Sequence, residues 1–235
     1  MSTAPTAQSF LRHLKGLVDL SQGPGRRKGG QLKTVVLGLP MNQVFALAKA
    51  NTAMEPAEIS RLLQRPEYEA RLSAVSIMDF QARSRKTTDA RRKELFDLYI
   101  DQHDRIDEWG MVDRAAPWVV GGYLFTQGNR DVLYHLARSE HWWERRTAIV
   151  STYFFIRKND LDDTFRLAEV LAHDGHELVQ KAVGGWVREA GKRDGQRLRA
   201  FLDKYAATMP RVMLRYAVEH LPKKDKERYM GAKGG

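Results

Sequence analysis

A basic residue followed within three positions by alanine, inside an apolar helical stretch, occurs five times along this chain: "EARLSA", "DRAAPWVVG", "ERRTAIVS", "VQKAVGGW" and "LRYAVEHL". The basic residues are Arg71, Arg114, Arg146, Lys181 and Arg215, with separations of 43, 32, 35 and 34 residues. That spacing is the length of one helical hairpin with its turns, and one hairpin cannot bury its own apolar stripe. The repeat therefore predicts an all-α architecture, an α-solenoid of helical hairpins whose second helices line a concave surface.

Local patterning agrees. Phe10, Leu11, Leu14, Leu17 and Val18 fall at helical spacing, as do Tyr68, Leu72, Val75 and Met78. Only "TVVLGL", Thr34 to Leu39, has a β-branched apolar run, too short to found a sheet. Pro40, Pro56 and Pro66 stand where first turns would begin, and Asp160 and Asp194 where N-caps would. The whole chain, 1–235, reads as one repeat domain carrying a basic glycine-rich loop at 21–33 and a basic C-terminal tail at 222–235.

Lys and Arg number 39 against 29 Asp and Glu, a net charge of +10, so a polyanion is the natural partner. The cations are grouped as Arg26 to Lys28, Arg83 to Lys93, Arg145 with Arg146, Arg188 to Arg199 and Lys223 to Arg228. Arg27, Lys28, Arg145, Arg146, Lys181 and Arg188 are the candidates for phosphate contact. If the repeated cations lie on the second helices, the concave face is a basic groove that takes a DNA duplex. The competing reading makes them snorkelling helix positions.

With no cysteine, disulfides, thiolate zinc sites and cysteine nucleophiles are excluded. His173 and His176 form H-x-x-H without a third ligand, "GGYLF" and "GPGRRKGG" lack the Walker lysine-serine spacing, and there is no G-x-S-x-G. No apolar run of about 18 residues occurs. The expectation is a cytoplasmic, nucleoid-associated monomer with no cofactor, no metal and no membrane contact.

Five tryptophans, Trp109, Trp118, Trp142, Trp143 and Trp186, fall in the central repeats. Trp118 and one of Trp142 and Trp143 read as packing residues. Trp109 differs: it opens its helix after "HDRIDE" and precedes Asp113 by one turn. A carboxylate on an apolar helix side needs a partner, and Arg146 of the next repeat stands at the matching position. The pair is either a structural bridge or an aromatic wall and carboxylate facing a cationic substrate.

The blocks "EWGMVDRAAPWVVGGYLF", "HWWERRTAIVSTYFFI" and "LVQKAVGGWVREAGKRD", in that order, resemble the AlkD-type DNA glycosylases of the HEAT-like repeat class. The likeness extends from about Val35 to Glu219. It implies a concave face holding duplex DNA and removal of cationic N3- or N7-alkylated purines in base excision repair, without a deep base pocket. It assigns Trp109 and Asp113 to the family's W-x-x-x-D, as aromatic contact and electrostatic or general-base group, and Arg146 to its W-x-x-R-x-A-I block.

Two elements depart from the family. Gly185 stands where its third block has tryptophan, with Trp186 one residue later and rotated by about 100° on a regular helix. Its second-helix aromatic falls on "RKGGQ". Three readings stay open: a roomier site for bulky adducts, Trp186 swung into place by a local bulge, or a member that binds DNA without cutting it. A helical-repeat scaffold for an acidic peptide is the alternative from a different class.

Overall fold

Helices joined by short turns account for nearly all the described residues, 4–18 and 34–232 of this computed structural model. "TVVLGL" contributes one isolated parallel bridge, Val35 to Glu67. The glycine-rich insert, with Arg27 and Lys28, lies outside the described residues. The chain divides into two compact units, Met1–Tyr123 and Leu124–Gly235.

In the first unit, α1 (Ala7–Gly16) opens on a capping box in which the Thr6 hydroxyl accepts from the Ser9 amide at 3.1 Å. It buries Phe10 and Leu14, but it ends before Leu17, which is left exposed. Then come α2 (Met41–Ala50), α3 (Pro56–Leu63) with Pro56 in its first turn, α4 (Tyr68–Arg83), α5 (Asp89–Asp101) and α6 (Trp109–Ala115). Pro40 and Pro66 precede their helices instead of starting them. Helices α2, α3 and α6 all pack on α4, which is why α4 is buried on nearly every side and not only along Tyr68, Leu72, Val75 and Met78.

Helix α6 runs into a π-helical turn, Ala116–Gly121, and then α7 (Gly122–Phe125), where the unit boundary falls. Pro117 is the cause. It has no N–H for the Asp113 carbonyl four residues back and its ring crowds that carbonyl, so the regular ladder cannot continue.

The second unit holds α8 (Asp131–Leu136), α9 (Trp142–Arg157), α10 (Asp162–Val170), α11 (Glu177–Gly191), α12 (Gly195–Tyr205), α13 (Arg211–Ala217) and α14 (Lys223–Gly231). Second helices stack on second helices, α9 on α11 and α11 on α13. Gly184 lets the last pair close: a Cβ there would stand 2.3 Å from the Met213 carbonyl oxygen. Asp194 caps α12, accepting from the Gln196 and Arg197 amides at 3.1 and 3.0 Å. Asp160 caps nothing: Leu161 holds that position in α10, and Asp160 is drawn instead to Arg130 at 2.8 Å. The basic tail is helical, since α14 follows Pro222 and buries Tyr229, whose hydroxyl donates to Asp203 at 3.0 Å.

The repeated basic residues lie on α4, α6, α9, α11 and α13, as the sequence repeat requires. Three of them make joints within the fold. Arg71 is 1% exposed; it donates to Asp107 at 2.6 Å, to the Arg105 carbonyl at 3.0 Å and to the Thr34 hydroxyl at 2.7 Å. Arg114 pairs with Asp79 of α4 at 3.1 Å. Arg146, buried, donates to the Leu178 carbonyl at the start of α11. Lys181 and Arg215 reach solvent.

A buried pair that loses one partner leaves an uncompensated charge, at a cost of about 3–5 kcal/mol. Asp107→Asn is therefore expected to lose stability of that order in urea unfolding, and the Arg71→Met/Asp107→Leu double variant to lose less than the single one.

Candidate functional site

Trp109 is the first residue of α6, with Glu108 as an extended-backbone N-cap. The indole is 47% exposed, the highest value for a large hydrophobic among the described residues. Leaving that much ring in water forgoes on the order of 2 kcal/mol of burial, so the position is not a packing site. Gly110 follows, where an added Cβ would stand 3.3 Å from the Tyr68 hydroxyl. One turn on, Asp113 is half-buried on the same side as Trp109.

The far side of the same helix is locked. Arg114 lies between the rings of Phe45 and Phe80, 5.0 and 4.5 Å from their centroids, with Asp79 at its head. Arg83 donates to Asp79 at 2.7 Å and covers the Trp118 ring at 4.6 Å. Trp118 is thus part-buried, with one ring face under a cation. Burial raises the pKa of Asp79 above the usual carboxylate range, against the pull of Arg83 and Arg114, and burial lowers that of the Arg114 guanidinium.

In the second unit the candidates separate by job. Arg145 donates to Asp174 at 2.6 and 3.2 Å and to the Ser139 and Glu140 carbonyls at 2.9 Å each, so it ties two hairpin turns together. Lys181 pairs with Glu177 at 2.6 Å on the surface, and Arg188 with Glu219. Trp186 donates its indole N–H to the Val150 carbonyl at 3.1 Å and leans on Tyr153, with ring centroids 5.8 Å apart. Helix α11 is regular from Glu177 to Gly191, so no bulge turns Trp186 toward the place of Gly185. A Cβ on Gly185 would meet nothing within 4 Å, although the residue is buried.

Sequence reasoning missed the histidine stacks. Trp143 is buried under His141, at 4.5 Å and 14°, while Trp142 lies on His176 at 4.6 Å and 3°. Each histidine is the N-cap of its helix, α9 or α11, two residues after a side chain that accepts from its amide: Ser139 at 3.0 Å and Asp174 at 2.8 Å. The 35-residue offset of Ser139/His141 from Asp174/His176 was available as a signal. His173 takes no part and contacts the Thr208 hydroxyl at 3.0 Å. Among the described residues no helix is long and apolar enough to cross a membrane.

Comparison with known proteins places this architecture. The family model of the DNA alkylation repair enzyme matches residues 10–221, and the chain belongs to that family, whose work is DNA alkylation repair. A predicted DNA alkylation repair enzyme from Enterococcus faecalis shares the fold, with a TM-score of 0.59 at 18% identity over 81% of this chain and 90% of that one. No curated protein matches the sequence. The fold is accordingly the all-α helical-repeat solenoid of that family.

Burial lowers the pKa of His176, with Arg145 and Arg146 adding to the effect and Asp174 opposing it. A depressed folded-state pKa means that the unfolded chain binds more protons below about pH 6.5, so this residue's contribution to stability is lost as pH falls from 6.5 through the lower folded value. The drop in Tm between pH 7.5 and 5.5 is expected to be smaller in His176→Phe, which keeps a ring on Trp142, than in wild type; an equal or larger drop would remove the assignment.

Proposed function

We propose that the protein is a monofunctional DNA glycosylase that hydrolyses the N-glycosidic bond of N3- or N7-alkylated purines in duplex DNA. The observation that carries this reading is the half-exposed Trp109 one helical turn ahead of the half-buried Asp113, on a chain of the DNA alkylation repair family. Alkylation makes the purine cationic and a good leaving group. As the C1′–N bond breaks, its electron pair passes to the base, which leaves neutral, and C1′ takes on oxocarbenium character. Water then adds to C1′ and gives its proton to Asp113, leaving an abasic site.

Asp113 acts mainly by charge. Opposite unit charges about 4 Å apart at an effective dielectric of about 20 attract by roughly 4 kcal/mol. Realised only in the transition state, that is about a thousandfold in rate. Trp109 offers its π face to the cationic base or sugar, worth about 0.5–2 kcal/mol. Arg145, Arg146, Lys181 and Arg188 are assigned to the phosphate backbone, and Trp186 to the wall beside the space at Gly185. None of these steps calls on a metal or cofactor, and the working form is a monomer on double-stranded DNA.

The open space at Gly185 favours one second reading, a protein that binds DNA structure without cutting it, because an aromatic wall of the family site is missing there. Asp113→Asn decides between them. Under the glycosylase reading, single-turnover release of N7-methylguanine falls 100-fold or more while duplex affinity stays within about threefold; equal release by both proteins rejects the role of Asp113.

A further inference from the structure

Asp79 is wholly buried and is not a residue that the chemistry above uses, yet it is a carboxylate tied to both flanks of Pro117, just after Asp113. On one side of Pro117 it meets Arg114, the residue after Asp113, at 3.1 Å. On the other, it accepts from Arg83 at 2.7 Å, and Arg83 covers Trp118 at 4.6 Å. Between these two attachments lies the start of the π-helical turn, where Pro117 has removed the bond that would otherwise hold the Asp113 carbonyl in line. The ladder is thus one bond short just beyond Asp113, and packing of α6 on α4 adds to what holds this segment. Phe45 and Phe80 flank Arg114, and Asp79 meets its head.

We infer that Asp79 is a positioning residue: through Arg114 and through Arg83 on Trp118, it holds the π-helical turn so that Asp113 stands at the reacting sugar. This rests on the reading of Asp113 as the acting carboxylate. Charged groups facing Asp79 are Arg83 from its own helix and Arg114 from α6, so neutralising Asp79 releases both anchors together.

The experiment compares single-turnover N7-methylguanine release and duplex binding for wild type, Asp79→Asn, Asp79→Glu, Arg83→Gln and Asp113→Asn, at a temperature below every Tm. Asp79→Asn is expected to release base at least tenfold more slowly with duplex affinity within twofold of wild type, and Asp79→Glu to recover part of the rate. Arg83→Gln leaves the buried Asp79–Arg114 pair in place and serves if Asp79→Asn does not fold; it is expected to slow release severalfold with unchanged affinity. A wild-type rate in Asp79→Asn, or in Arg83→Gln where that variant stands in, overturns the inference while loss of activity in Asp113→Asn leaves the glycosylase reading standing. A wild-type rate in Asp113→Asn removes both.

Discussion

Successive hairpins can stack only if the polar groups trapped between them are paired, and the chain meets this constraint with arginine. Arg71, sealed from solvent, spends its guanidinium on Asp107, on the Arg105 carbonyl and on Thr34. Arg145 and Arg146 do the same for the turn before α11, through Asp174 and the Leu178 carbonyl. The planar guanidinium suits the task because it donates in several fixed directions at once, which an ammonium does not. Arg114 reaches back to Asp79 instead of forward, and that exception falls on the helix bearing Trp109 and Asp113.

The same joint links packing to the proposed chemistry. A half-exposed tryptophan and a half-buried carboxylate are poor choices for stability, and both lie on one face of α6. Against them stand the Arg114 pair with the buried Asp79, two aromatic contacts to Arg114 and, in the π-helical turn that follows, a cation over Trp118. Such a division, one face committed to the core and one left available, is what preorganisation of a catalytic group requires.

Much of this was legible in the sequence. The repeat spacing set Arg71, Arg114, Arg146, Lys181 and Arg215 one hairpin apart, and W-x-x-x-D put Trp109 and Asp113 one turn apart because helical periodicity is local. What the sequence could not show is where each cation spends its charge: a pattern of arginines looks alike whether it lines a groove or bolts hairpins together, and only the 29- to 36-residue partners Asp174 and Asp107 distinguish the two. The π-helical turn was signalled by Pro117, but its consequence depends on Asp79, which lies 34 residues before Asp113. The regularity of α11 past Gly185, which keeps Trp186 on Val150, is likewise set by packing on α9.

The central claim is that a fixed carboxylate beside a cationic nucleobase suffices for bond cleavage. Its most direct test is the time course of base release by the full chain from duplex DNA carrying one N7-methylguanine, with the DNA in excess. The account predicts several equivalents of free N7-methylguanine per protein and a matching number of abasic sites in otherwise intact strands. Saturable duplex binding with no base released beyond the spontaneous rate would contradict it.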